Sequence, residues 1–559
     1  MNFPQWAVTA LAASSAAAFS FALFSPTILP VANAFALRAP SSNSVVNKAR
    51  NFPLSSALWA QGRQGNPIQT LFGDMASSLF SSSTSGPSNA SQLNSKISAT
   101  STQSWDDIAS NLHSKQTPYE RSFRQNLSKG YGQASPLHLT RLYDESNSES
   151  DIRVTLYRDS ASWCPYCQKV WTTLEEKRIP YKVEKINMRC YGDKPSSFLR
   201  LQPNGNIPVA IIDGTIYNQS NDIMSALETL FPDHKSLSPK DEDRAKASEL
   251  LRLERNIFGA WMYWLTGGGD RSKADFISTL EVVERELQQS KGGDFFLGKD
   301  VTLVDMMFAP FLERACASLL FFKGYQIRVA PGQPTNFPAV NRWFDAMEQL
   351  ESYQLTKSDY YTHCWDLPPQ LGGCTYEKGG EPYERAINGG LTLDGTRESW
   401  ALPLEPHLGG LEPDWNWCGD ESAARREAAD RLVANHKNIV MFAARGAGRK
   451  GSPPVMAALS DPNAKPNEDV TNAVDAVLRV VSTAMLEGTE NGEVEQTMLD
   501  VANAVVQEGG IEYADGVVAS LAYLRDRIGV PRDMRLPAAM QLRAHLNWAA
   551  GKILNAQDA

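Results

Sequence analysis

At 559 residues the chain has room for roughly two to four domains with full hydrophobic cores. Its formal net charge of -9 and sequence pI near 5.5 argue against a general nucleic-acid binder, which needs a basic face. Seven cysteines are too few for a disulfide scaffold, so a reducing compartment is expected.

From Trp6 to Phe24 nearly every residue is Ala, Ser, Phe, Leu or Val, and Pro26, Pro30 and Ala32-Asn33-Ala34 follow. This reads as a signal peptide over 1–34 with an A-x-A cleavage site, although no Lys or Arg precedes it. A membrane anchor is the rival reading, but Ser14, Ser15 and Ser20 break the run and prolines end it, so no membrane span is expected in the mature protein. Between Phe35 and Phe72 the only charges are Arg38, Lys48, Arg50 and Arg63, and the first acidic residue is Asp74. That is transit-peptide composition, assigned to 35–75. A phenylalanine directly after the cut, in Phe35-Ala36-Leu37-Arg38-Ala39-Pro40, resembles the bipartite plastid presequence of diatoms and related algae. The expected destination is a complex plastid. Secretion is the alternative, under which Asn89-Ala90-Ser91 and Asn126-Leu127-Ser128 become glycosylation candidates. Residues 76–150 read as a disordered linker, with a short helix between Trp105 and Ser128 docking on the next domain.

The chemistry centres on Ser162-Trp163-Cys164-Pro165-Tyr166-Cys167-Gln168-Lys169, between a strand-like run at Val154–Arg158 and a helix-like run from Val170. Two cysteines three positions apart after a strand suit the thiol site of a thioredoxin-like fold. A cysteine at a helix N-terminus faces unpaired N–H groups and the positive end of the dipole, which favour the nucleophilic thiolate. Half of a zinc site is the alternative for C-x-x-C, but no second ligand pair occurs and no metal is expected. Ile179–Ile186 then reads as a second strand, Val209–Ile212 as a third after Pro208, and Asp213-Gly214 as a hairpin into a fourth at Ile216-Tyr217. A helix from Ser220, with Ser220 as its N-cap, completes a domain over 151–234.

This order, with Cys-Pro-Tyr-Cys-Gln-Lys, Leu-Glu-Glu-Lys, Asp-Lys-Pro and Ile-Pro-Val, resembles the N-terminal domain of glutathione transferases, nearest the omega class and the plant dehydroascorbate reductases. The resemblance implies glutathione as co-substrate and a cis Pro208, with the Ile207 backbone pairing to glutathione's cysteinyl group. It places Lys194 at the glycyl carboxylate and Gln219-Ser220 at the γ-glutamyl end. Gln219 departs from the family's acidic residue, which would neutralise the γ-glutamyl ammonium; Asp222 is a substitute. Cys164 is the implied nucleophile. Cys167, where relatives have serine or alanine, is either a resolving thiol or a buried helix cysteine.

Residues 240–360 read as an all-helical domain: Asp241–Leu265, Ala274–Gln289, a run between Gly298 and Gly324 opened by Thr302-x-x-Asp305, and Phe337–Leu350. This is similar to the transferase C-terminal domain, with the buried helix and its capping box. Trp163, Tyr166, Trp261, Tyr263 and Trp264 are candidates for an acceptor pocket above Cys164, or core aromatics. Residues 361–420 read as a proline- and glycine-broken connector, in which His363, Cys364 and Cys374 fall short of a metal site. Amphipathic runs at Glu421–His436, Pro466–Gly488, Gly492–Gln507, Tyr513–Ile528 and Leu536–Leu554 predict a helical bundle over 421–559, with Pro466 at a first helical position. Arg445, Arg449 and Lys450 flank a glycine-rich turn without a P-loop pattern. Arg525, Arg527, Arg532, Arg535 and Arg543, among Asp526, Asp533 and His545, predict a salt-bridged face or a partner-docking surface.

The expected class is thus an α/β thioredoxin-like domain, an all-α transferase domain and an extra all-α bundle. The expected function is a glutathione-dependent thiol transferase or dehydroascorbate reductase-like oxidoreductase working through a Cys164 mixed disulfide on a small electrophilic or disulfide substrate. The alternative is a non-catalytic or redox-sensing transferase-fold protein whose bundle binds a protein partner. A homodimer is a further candidate assembly.

Overall fold

A computed structural model describes residues 102–330, 332–390, 397–404, 412 and 420–558. The presequence readings, the 76–101 part of the linker and Cys418 lie outside them.

Two capped helices come first, α1 (Trp105–Lys115) and α2 (Pro118–Lys129), opened by capping boxes at Ser104/Asp107 and Thr117/Glu120. The expected single helix is therefore two, because Thr117-Pro118 stops one and starts the next. The first docks elsewhere than expected. Leu112 of α1 joins the core of the C-terminal bundle, and Trp105 Nε1 donates to Asp475 at 2.8 Å.

The sheet contains β1 (Thr140–Arg141), β2 (Val154–Asp159), β3 (Tyr181–Ile186), β4 (Val209–Ile212) and β5 (Thr215–Tyr217), in the order β1-β3-β2-β4-β5. β2 runs parallel to β3, joined through α3 (Pro165–Lys177), and antiparallel to β4. Asp213 (φ 50) and Gly214 (φ 79) form the tight turn between β4 and β5. Val170, Trp171 and Leu174 of α3 are buried with Val154, Leu156, Ala210 and Ile212 of the sheet. α4 (Ser196–Leu201) precedes β4, and α5 (Ser220–Leu230) follows β5. The N-cap of α5 is Gln219, not Ser220; Ser220 is already helical and makes no side-chain cap.

The helical domain comprises α6 (Arg244–Gly267), α7 (Asp270–Gln288), α8 (Leu303–Lys323), α9 (Pro338–Met347), α10 (Glu351–Thr356), α11 (Tyr360–Leu371) and α12 (Glu381–Ile387). α8 is buried along nearly its whole length and packs on α3, α6, α11 and α12. Its capping box forms as expected. Asp305 accepts from Thr302 N at 2.8 Å, and also from Phe296 N and Trp343 Nε1. Helix α11 corrects the connector reading. Asp359 caps it through Thr362 N, and Pro368 and Pro369 fall in its last turn before Gly372 (φ 79).

The bundle has its own core, from α13 (Glu421–Ala443, kinked at Asn435), α14 (Thr471–Glu487), α15 (Gly492–Asp526) and α16 (Leu536–Asp558). Two predicted runs merge into α15, bent at Gly510 (φ 77, ψ 174). Pro466 lies before α14, not at its first position, because the turn Glu468–Val470 intervenes. The arginine-rich face is salt-bridged: Arg525 to Asp526, Arg532 to Asp533, Arg535 to Glu427, and buried Arg543 to Asp359 at 2.7 Å. Among the described residues no helix is long and apolar enough to cross a membrane.

Candidate active site

The loop from β2 to α3 folds around Asp159. Its buried carboxylate accepts from Trp163 N, and from Cys164 N at 3.0 Å. Arg158 fixes the same loop, donating to Asp159 O at 3.0 Å and Ser162 Oγ at 2.9 Å, with its guanidinium stacked on Trp171. Cys164 is therefore delivered as the N-cap of α3, with Pro165 taking the first helical position, where no N–H is needed. Only 7% of Cys164 is exposed, and its Sγ lies 4.0 Å from Ile207 O. The Ile207-Pro208 bond is cis.

Cys167 sits one turn on, 1% exposed. Burial, followed by its hydrogen bond to Cys164 and the charge on that sulfur, pushes its thiol well above the usual range. Cys167 is therefore held as a neutral thiol one turn from Cys164.

Trp163 is clamped from the helical domain. Its Nε1 donates to His363 Nδ1 at 2.9 Å, and His363 Nε2 pairs with Glu313 Oε1 at 2.7 Å. An indole N–H can only donate, so Nδ1 must be bare and Nε2 must carry the proton. His363 is neutral, consistent with burial and the nearby Arg314 charge holding it below its ordinary value. Glu313 also accepts from Ser358 N and Gln168 Nε2, both at 2.8 Å. Burial opposes its ionisation, but the His363 hydrogen bond, Arg314 and the Ser358 N–H outweigh it, so Glu313 is held below the usual range. Arg314, fully buried, donates to Trp163 O, to Gln168 Oε1 at 2.7 Å and to Pro310 O at 2.7 Å, with Cys164 and Asp159 among the charges acting on it.

Of the residues read as glutathione-binding, Ile207 lies against this thiol. Lys194, half-buried, donates to Asn187 O, and Gln219 and Asp222 are exposed at the start of α5 beside buried Ser220. Lys169, missed from sequence, is buried under the same helix end and donates to Asn221 Oδ1 at 2.8 Å. Burial and then the Arg255 charge push Lys169 down to about 7.

Of the aromatics proposed for an acceptor pocket, Tyr166 stands half-buried in a ring cluster with half-buried Phe258 and buried Phe311. It meets Phe311 edge-on at 5.7 Å, Phe311 meets Phe258 at 4.9 Å, and Arg255 lies over both phenylalanines. The others are corrected. Trp261 is core, bonded to Ser318 Oγ at 2.9 Å; Trp264 is core, bonded to Glu377 Oε1 at 2.8 Å; Trp163 is the clamped residue above. Tyr263 is 57% exposed. His363, Cys364 and Cys374 form no ligand set: Cys364 Sγ faces Ala317 O, and no metal-ligating cluster occurs among the described residues. Asp159, Glu313, Arg314 and Gln168 also escaped the sequence reading. The available signal was the Glu313-Arg314 pair inside an otherwise apolar helix.

A thioredoxin-like domain bearing an N-cap cysteine, a cis-proline before β4 and an all-helical domain behind it together define the glutathione transferase architecture. Residues 163–230 match the family model for the glutathione S-transferase N-terminal domain, and 267–346 that for the C-terminal domain. The chain is 31% identical over 197 residues to glutathione S-transferase DHAR2 of Arabidopsis thaliana, covering 35% of this chain and 84% of that protein. It is 28% identical over 203 residues to the probable cytosolic glutathione S-transferase DHAR1 of Oryza sativa subsp. japonica, covering 36% and 86%. Among solved structures, the glutathione transferase Omega 3C of Trametes versicolor is 26% identical, covering 38% of this chain and 88% of that one with a TM-score of 0.32. The chain belongs to the glutathione S-transferase family. Neither family model extends into the bundle formed by α13–α16.

Proposed function

We propose that this protein is a glutathione-dependent thiol transferase, of the dehydroascorbate reductase or glutaredoxin type, acting through Cys164. The observation that carries the reading is Cys164 at the N-cap of α3, its sulfur held against Ile207 O. The names of its relatives, glutathione S-transferases of the DHAR group, support it.

The Cys164 thiolate attacks the glutathionyl sulfur of a mixed disulfide R–S–S–G. The S–S bond between RS and the glutathionyl sulfur breaks, RS⁻ leaves with its electron pair and takes up a proton, and Cys164–S–S–G remains. A second glutathione thiolate then attacks the glutathionyl sulfur of that adduct, releasing glutathione disulfide and restoring the Cys164 thiolate. Cys167 stays a thiol and donates its hydrogen bond to the Cys164 sulfur, because its burial keeps it from ionising. Lys194, the Ile207 backbone, Pro208, Gln219 and Ser220 would hold glutathione, with exposed Asp222 near its ammonium. Tyr166, with Phe258, would face the acceptor. Targeting to a complex plastid remains part of the proposal, on the composition of residues 1–75, as do a homodimer and a protein partner at the bundle.

The test is turnover of hydroxyethyl disulfide and of dehydroascorbate with glutathione, by the unmutated chain and by Cys164→Ser and Cys167→Ser. Turnover is expected for the unmutated chain and Cys167→Ser, and none above buffer for Cys164→Ser. No turnover by the unmutated chain would instead favour the non-catalytic reading. A reporter carrying residues 1–75 is expected in plastids; its secretion would count against that part.

A further inference from the structure

The bundle and the transferase module enclose a second site. A cavity of about 1000 Å³ lies along their seam, walled by α13 and the end of α15 on one side and by Ser160, Ala161 and Asn187 on the other. Its size is at the upper end of what small-molecule sites use. Much of the wall is apolar, from residues such as Leu127, Leu432, Ile439 and Leu459.

Two cations stand out in that wall. Arg445 lies over the ring of Phe442 at 5.3 Å and Arg527 over the ring of Tyr523 at 3.5 Å, and the two rings meet edge-on at 5.2 Å. Arg445 donates to Asp461 O at 3.4 Å and Arg527 to Tyr523 O at 3.3 Å, both main-chain carbonyls. Among the described residues neither makes an ion pair with a carboxylate, and the buried Nε of Arg527 has no hydrogen-bond partner. The other lining arginines are satisfied: Arg532 by Asp533, Arg431 by Asp430 and Arg124 by Asp430. The lining carboxylates are also engaged: Asp526 by Arg525, Asp533 by Arg532, and Asp461 by Gly451 N. Asp366 is pushed up to about 7 by burial, so its carboxyl is about half-protonated near neutrality. The seam therefore presents two stacked guanidiniums with spare donors beside an apolar chamber, which is complementary to an anion with an apolar body.

We propose that this cavity binds a small amphipathic carboxylate of the fatty-acid class, its carboxylate between Arg445 and Arg527 and its tail along the apolar wall. The site is separate from Cys164 chemistry and holds whether or not the chain turns over glutathione.

The experiment is calorimetric titration of the full chain with laurate and, as the neutral control, with 1-dodecanol. Saturable laurate binding at one site is expected. Arg445→Gln with Arg527→Gln should weaken laurate at least about tenfold, the size of a lost charge-assisted contact, and leave dodecanol unchanged. Arg445→Lys with Arg527→Lys should keep laurate binding within a few-fold. Asn438→Glu, at an exposed position on the cavity rim, provides a second variant if the glutamine pair fails to fold, and should also weaken laurate selectively. Absence of saturable laurate binding by the unmutated chain, laurate affinity unchanged in the folded variants, or equal weakening of laurate and dodecanol would each overturn the proposal.

Discussion

Replacing His363 by Phe tests the clamp that positions the reactive cysteine. The ring volume is kept, but the buried Trp163 indole N–H loses its acceptor at 2.9 Å and the Glu313 carboxylate loses the donor at 2.7 Å. An unpaired buried donor costs about 1–3 kcal/mol, and a hydrogen bond to a charged group contributes about 1.5–3 kcal/mol. Glu313 keeps Ser358 N and Gln168 Nε2, so the anion is weakened rather than stranded, and the expected loss is about 3–5 kcal/mol. Urea unfolding followed by far-UV circular dichroism measures it, with Trp163→Phe and the double variant completing a cycle. The double variant has no stranded indole N–H, so it should lose less than the sum of the singles by about 1–2 kcal/mol. The reasoning fails if His363→Phe costs less than about 1 kcal/mol, or if the singles add to within about 0.5 kcal/mol.

Arg314→Met removes the buried donor to Trp163 O, Gln168 Oε1 and Pro310 O, so it should cost about 2–4 kcal/mol in urea unfolding, with Arg314→Lys recovering part of it; a loss under about 1 kcal/mol would refute the clamp. His138 and His545 are buried and pushed down to about 4, mainly by burial. Unfolded they take up a proton near pH 6.5, so their stabilising effect is complete above that and falls as pH drops towards 4, by about 1.4 kcal/mol per pH unit for each histidine. Replacing either by Gln should flatten the stability–pH curve in that window; an unchanged slope would refute it. Gly510→Ala places a Cβ where φ is 77 and ψ is 174, and should cost about 1–3 kcal/mol in urea unfolding.

What the sequence showed and what it hid divide along sequence distance. Cys164, Cys167 and the strand–helix pattern around them are contiguous, and the Thr302–Asp305 box spans one helical turn, so local rules found them. The clamp joins Trp163 to residues 151 and 200 positions away, where no periodicity reports a contact. Periodicity also identified α6 without telling which of its tryptophans faces a pocket, and both Trp261 and Trp264 turned inward. The two-residue β1 is too short to show alternation. Prolines in the last turn disguised α11, because a helix's final turn was read as a break. His363 sits beside Cys364 in sequence, but its partners are far off in it: Trp163 in the loop before α3 and Glu313 on α8.

The central claim is that Cys164 carries glutathione as a mixed disulfide. Incubating the full chain with glutathione disulfide, then measuring intact mass and mapping peptides, tests this most directly. One glutathionyl group on Cys164 is expected, released by fresh glutathione, retained in Cys167→Ser and absent in Cys164→Ser. No adduct, or an adduct on Cys190 or Cys374 that persists in Cys164→Ser, would contradict it.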